Sequence, residues 1–217
     1  MDRNKYLSVG TSVLISLLII SGAVAFVTFF KPFYYWHIEW LDLPARVGFS
    51  AEQIQQAYTE VIDYMTGFSP VFSAGVFEFS ESGAAHFLDV RKLFILDLWC
   101  AVVCAVALVV IYFAAKRKNI RFYRFKNHGP LFCGPVILLS SFLVIAGLAS
   151  LDFDTAFTVF HKIFFPGKDN WVFSPKTDPI IKVLPQQFFM DCAILIFAIV
   201  LLCCVICILI DNKHKEK

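Results

Sequence analysis

The chain has 217 residues, 59% of them hydrophobic and 25 of them phenylalanine, with a formal net charge of +2. Soluble globular domains are about 45–50% apolar, so the excess must face something other than water. A charge this small, with no basic-aromatic stripe, excludes nucleic acid as a partner.

Crossing a bilayer takes about 20 mostly apolar residues, because the hydrocarbon core is roughly 30 Å thick and a helix rises about 1.5 Å per residue. Four runs meet that demand: residues 7–30, 93–115, 131–151 and 188–210. Backbone polar groups cannot go unpaired in lipid, so each run is expected to be helical. The predicted fold is an all-α integral membrane protein with four transmembrane helices. In the first run, Arg3, Lys5 and Ala23-Val24-Ala25 imitate a signal peptide. The apolar stretch continues through Phe29-Phe30 without a polar break, and a retained helix is expected.

Lys116, Arg117, Lys118, Arg121, Arg124 and Lys126 crowd the connection 116–130, and Lys213, Lys215 and Lys217 follow in the tail 211–217. Basic loops stay inside. This predicts cytoplasmic N and C termini and outward connections 31–92 and 152–187, which form a small membrane-apposed cap. All the cysteines (Cys100, Cys104, Cys133, Cys192, Cys203, Cys204 and Cys207) lie in the spans. The outer connections therefore have no disulfide framework and rely on packing.

In the first outer connection, "KPFYYWHIEW" places Trp36 and Trp40 where aromatic rings suit the headgroup level. His37 is expected there as an interfacial histidine. Ser50 and Gln53 then fit a capping box, and the apolar spacing from Ile54 to Met65 predicts an amphipathic helix over 51–65. "VFSAGVFEFSES" has no helical period and is expected to be extended or a flap. "HFLDVRKLF" (86–94) leads into the second run. On a continuous helix His86 and Asp89 adjoin and Asp97 returns to the same stripe, where charged groups are costly unless they face a cavity or a partner. Asp89 has a second reading, as a cap or a partner of Arg91 or Lys92.

The second outer connection holds "LDFDTAFTVFHKIFFPGKDNW". A short helix is expected to begin near Asp152 or Asp154 and to stop at Pro166-Gly167, with Asp154, Thr158 and His161 on one side. The turn delivers Asn170 and Trp171. Across the chain there is no H-E-x-x-H zinc helix, G-x-S-x-G elbow, P-loop or dinucleotide turn. No cofactor is implied, and no outward cysteine is available as a nucleophile. What remains is imidazole chemistry at a membrane surface, where histidine serves as general acid or base.

The segments "HFLDVRKLF" and "FHKIFFPGKDNWVFSPKTDPIIKVLPQQFF", with the four-span layout, resemble the bacterial lipoprotein intramolecular transacylase family. The resemblance implies a multi-pass plasma-membrane enzyme of low-GC Gram-positive bacteria. Its substrate would be a diacylated lipoprotein held among membrane lipid. The enzyme would move the sn-2 acyl chain onto the α-amino group of the lipidated cysteine, leaving a lyso-form lipoprotein. It also implies that His86 and His161 carry the function, with the active site facing outward. Asp89, Tyr64, Asp154, Asn170 and Trp171 are supporting candidates, and an oxyanion donor is sought among Asn170, Tyr64 and the Trp171 indole. An α-ammonium has a pKa of about 8, so a base must free its lone pair; one histidine would do so while the other protonates the leaving oxygen.

Two other readings stand beside this one. One is a metal-dependent membrane enzyme using His86, Asp89 and His161; the other is a non-enzymatic four-span scaffold. The sequence does not define an oligomeric state, and a monomer is compatible with it.

Overall fold

A computed structural model describes residues 3–213. Of the basic tail, Lys215 and Lys217 lie outside the described residues. The helices are α1 (Arg3–Phe29), α2 (Lys31–Trp40), α3 (Leu43–Val47), α4 (Ala51–Thr66), α5 (Glu81–Lys118), α6 (Pro130–Leu151), α7 (Phe153–Phe164) and α8 (Gln186–Lys213), with a 3-10 turn at Pro179–Lys182. The only β feature among the described residues is an isolated bridge between Phe125 and His128. Four helices, α1, α5, α6 and α8, are long and apolar enough to cross a membrane. The 38 residues of α5 would extend about 57 Å, far more than a bilayer core requires. Its first turns, ahead of the apolar run that begins at Leu93, are therefore free to carry polar side chains.

The chain divides into two units. One comprises the chain up to Val24, Asp97–Leu151 and Leu195 onward. Its core is made by Ala23, Leu138, Val200 and Cys204. Small residues let the backbones approach: a Cβ added at Gly134 would collide with the Ser12 carbonyl. At one end the buried Asp211 carboxylate accepts from Gly129 N–H at 3.1 Å and from Arg124 at 3.3 Å. That contact fixes the basic connection, whose Lys126 and Asn127 turn through positive φ. Asp97 belongs to this unit, within reach of the Ser21 hydroxyl.

The other unit comprises Ala25–Leu96 and Asp152–Ile194 and has an aromatic core. Pro32 and Pro44 start α2 and α3, where a missing N–H costs nothing. Ser50 and Gln53 cap α4 reciprocally, and Gly67, at φ +90°, ends it. The face of α4 from Ile54 to Met65 packs against α2, where Tyr34 stacks on Tyr58 at 3.7 Å. The Tyr34 hydroxyl is buried and donates to the Val183 carbonyl at 2.6 Å. Between α4 and α5 the chain is irregular but pinned, because Glu60 accepts from the Ser73 hydroxyl and from Gly75 N–H.

The start of α5 is held from a distance in sequence. The Asp178 carboxylate accepts from the Ser80 N–H at 2.8 Å and from the Ser80 hydroxyl at 2.9 Å. The Ser80 hydroxyl in turn accepts from Gly83 N–H at 3.0 Å. An anion here also meets the positive end of the helix dipole. A Cβ at Gly83 would collide with Oδ1 of Asp178, so the cap and the glycine require each other. Asp178→Ala, which strands the half-buried Ser80 donors, should destabilise the protein by about 1–3 kcal/mol in thermal unfolding. Gly83→Ala should lower the midpoint in the same direction. Unchanged midpoints in both variants would show that the cap does not hold the helix.

Candidate active site

The two histidines singled out in the sequence meet in the aromatic unit. His86 lies on the second turn of α5 and His161 on the last turn of α7. Their ring centroids are 5.8 Å apart, and they are only 6% and 7% exposed. Local structure explains each position. Asp152 caps α7 by accepting from Thr155 N–H at 3.0 Å. Three turns later the helix ends at Phe165, and Gly167 reverses the chain at φ +73°. That reversal brings residues 168–173 back over the rings.

Aromatic side chains wall the pair. Phe165 lies 5.0 Å from His86 and 5.8 Å from His161, and Phe173 lies 5.4 Å from His86. Trp171 stacks on His161 at 4.7 Å, with Phe157 on that ring at 4.2 Å. Removing water from an imidazole disfavours its charged form. Burial accordingly lowers His86 to about 4, helped by the proximity of His161. Burial also lowers His161, against a partial opposing effect of the Phe157 carbonyl. Burial therefore favours the neutral form of both rings.

The tautomer of His161 follows from its partner. Nδ1 lies 2.8 Å from the Phe157 carbonyl, an acceptor only, so Nδ1 carries the proton and donates it. Neutral His161 then holds its lone pair at Nε2. In His86, Nδ1 is buried without a hydrogen-bond partner.

Asp89, one turn beyond His86, is the charged centre of the wall. Lys168 Nζ approaches its Oδ2 at 2.6 Å, Asn170 Nδ2 donates to the same oxygen at 3.2 Å, and Lys92 reaches Oδ1 at 3.3 Å. Burial pushes the Asp89 carboxyl up, but Lys168, Asn170 and Lys92 together hold it below the ordinary range. The second sequence reading of Asp89, a pairing with Lys92, is thus present alongside contacts from the far side of the turn.

The other sequence candidates lie elsewhere or are already engaged. Asp154 is exposed, and the residue one turn behind His161 that meets its ring is Phe157. Tyr64 packs on Phe72 and under the Arg91 guanidinium; it relates to His86 only through Phe72 and Phe87. The Trp171 indole N–H already donates to the Lys168 carbonyl at 3.1 Å, so it is not a free oxyanion donor. Asn170 keeps a buried, unpartnered Oδ1. Among the described residues no group of three or more His, Cys, Asp or Glu side chains is arranged to hold a metal ion. Lys168, Phe165 and Phe173 were not singled out in the sequence. The signal available for Lys168 was its place just after the Pro-Gly turn.

His37 departs from the interfacial expectation. It is fully buried, with Nδ1 2.7 Å from the Phe33 carbonyl and Nε2 3.0 Å from Asp191 Oδ2. Both nitrogens face acceptors, because α8 brings Asp191 against α2. Trp36 and Trp40 stack on each other on the exposed side instead.

Four helices long and apolar enough to cross a bilayer, with a histidine pair boxed by aromatic rings, are the features of a membrane-integral protein. The chain belongs to the lipoprotein intramolecular transacylase Lit family, whose model matches residues 9–189, and it is an acyltransferase of that family. It is similar to the in meso structure of the membrane-integral lipoprotein intramolecular transacylase Lit from Bacillus cereus. The two share 24% sequence identity and a TM-score of 0.87, over 98% of this chain and 95% of that one. Two further structures of the Bacillus cereus protein, each with one histidine substituted, match at TM-score 0.80 and 24% identity. They cover 99% and 98% of this chain and 95% of theirs. A search among curated proteins gives no match.

Leaving a buried hydrogen-bonding group without its partner costs about 1–3 kcal/mol. His37→Ala should therefore lower the unfolding midpoint strongly, whereas Asp191→Asn, which keeps an acceptor for Nε2, should lower it less. Equal midpoints for wild type and His37→Ala would contradict the structural role.

Proposed function

We propose that the chain moves the sn-2 acyl group of a diacylglyceryl-cysteine lipoprotein onto its own α-amino group, with His161 as general base and His86 as proton donor. The observation that carries this reading is the pairing of two buried imidazoles 5.8 Å apart beside an apolar wall. His161 Nε2 takes a proton from the α-nitrogen as that nitrogen attacks the ester carbonyl. The new C–N bond forms, the tetrahedral centre collapses, and the C–O bond to glycerol breaks. A proton delivered through His86 completes the new glycerol hydroxyl. One N–H and one ester C–O bond are broken, and one amide C–N and one O–H bond are made.

Nucleophile and electrophile belong to one substrate molecule, so no acyl-enzyme is needed. Holding them near attack distance can supply up to about 7–11 kcal/mol of barrier lowering. Burial lowers the pKa of both rings, so the base stays unprotonated at neutral pH; mutual repulsion favours no more than one charge on the pair. The aromatic walls suit acyl chains. The excess of basic residues in the connection between α5 and α6 supports an orientation in which this unit faces outward from a bacterial plasma membrane, towards lipoprotein and lipid.

His86→Ala and His161→Ala should each lower turnover by about 10²–10⁴-fold while leaving folded, membrane-inserted protein. Mass spectrometry of the lipoprotein N-terminal peptide would then show the diacylglyceryl form in place of the N-acyl lyso form. Normal product from both variants would overturn the assignment.

The pH dependence has a definite sign. Protonation inactivates the base, and burial moves that protonation to lower pH. The enzyme's limb in kcat/KM should lie below pH 6.5, apart from that of the substrate amine near about 8. Phe165→Ala admits water to both rings and should move the limb upward, towards 6.5. A wild-type limb at or above 6.5 would contradict the buried, neutral pair.

A further inference from the structure

The acid–base reading leaves two buried atoms unexplained: Nδ1 of His86 and Oδ1 of Asn170, each without a partner. They belong to neighbouring side chains, because Asn170 lies close enough to the His86 ring to stabilise its protonated form. A buried polar atom left unpaired costs about 1–3 kcal/mol, and two such atoms on neighbouring side chains point to a shared role.

Chemistry orients the amide. Asp89 Oδ2 already receives Lys168 and Asn170 Nδ2. Flipping the amide would set Oδ1 against the carboxylate, oxygen to oxygen, so Nδ2 must face Asp89 and Oδ1 must be left for another donor. His86 precedes Asp89 by three residues on α5, and residues at that spacing are neighbours on one helix face. The proton on neutral His86 can sit on either nitrogen. On Nε2, it would leave two buried acceptors, Nδ1 and the Asn170 oxygen, with no donor for either. On Nδ1, it would give each of the orphaned atoms a partner in the other.

We propose that Asn170 is a positioning residue: anchored by Asp89 and Lys168, its Oδ1 accepts the Nδ1 proton of His86 and so presents the Nε2 of His86 to the substrate. His161 is set the same way by the Phe157 carbonyl. Both imidazoles would then offer Nε2 to the reacting atoms. The carboxylate polarises the amide through Nδ2 and steadies His86 while it carries the transferred proton. This rests on the acid–base reading above, but its central statement is a tautomer and can be measured without turnover.

The experiment uses the full chain in lipid nanodiscs, labelled with ¹⁵N-histidine. There are only 5 histidines, and His86 is assigned by the signal lost in His86→Ala. Ring nitrogen shifts and their proton couplings at neutral pH report which nitrogen carries hydrogen. The wild-type His86 is expected in the Nδ1–H form. Asn170→Ala should shift it towards Nε2–H, leave the His161 signals in place, and reduce kcat on the order of 10- to 100-fold with little change in KM. A wild-type His86 in the Nε2–H form overturns the proposal whether or not any variant folds. So does an unchanged tautomer in Asn170→Ala. If instead the tautomer responds as expected but His86→Ala remains fully active, the acid–base reading falls and not the hydrogen bond.

Discussion

The arrangement depends on one carboxylate. Asp89 sits on α5, and the groups that reach it, Lys168 and Asn170, come from the turn after α7. Without that contact nothing polar would fasten the turn to the helix, and residues 165–173 would have only ring packing to hold them over His86. With it, Phe165, Trp171 and Phe173 close around both imidazoles. The Asp178 cap acts on the same two segments from the other side, fixing where α5 begins and hence where His86 lies along it. Two buried acids supplied by different parts of the chain therefore bracket one histidine. Neither would be tolerated in such surroundings unless paired and hydrogen-bonded, so the polar contacts and the apolar walls stabilise each other.

The walls also set the chemistry. A histidine in water is half charged near its ordinary value, which makes it a poorly defined base at neutral pH. Enclosure by rings removes the charged state, and a second imidazole 5.8 Å away discourages it further. The fixed dipole at His161, from Nδ1–H to the Phe157 carbonyl, comes from its own helix. No charged partner is needed there. His86 Nδ1 makes no such bond, and the loop side chains beside it are fastened to Asp89 instead. This asymmetry explains why one histidine is accompanied by a network of side chains and the other only by rings.

Much of this was legible in the sequence, for definite reasons. The four spans could be read because lipid enforces long, uniform apolar runs, and α4 because its capping box and i, i+3, i+4 pattern are local. The nearness of His86 to Asp89 followed from helical spacing alone. The partners of Asp89 did not, since Lys168 and Asn170 are nearly eighty residues away and reach it only after a glycine reversal. Asp154 shares the helix with His161 but is exposed, and the ring that meets His161 from one turn back is Phe157. His37 misled more completely. An aromatic-rich stretch next to a span reads as an interface, and only the packing of α8 against α2 shows that its histidine turns inward to Asp191 while Trp36 and Trp40 turn out.

The alternatives can be weighed by what Asp89 is free to do. A metal site built on His86, Asp89 and His161 would need the carboxylate as a ligand, yet both of its oxygens are engaged by donors, two of them ammonium groups. A cation would have to displace Lys168 and Asn170, and with them the turn that encloses the rings. A scaffold without chemistry would have no reason to desolvate two titratable rings against each other, since aliphatic side chains of similar volume would pack there at lower cost. Proton transfer does supply such a reason: it needs a group that is neutral at rest, accepts a charge briefly, and is shielded from water in between. The proposed substrate would meet the same requirement from its own side, because an ester and an amine on one molecule need placement and a route for one proton.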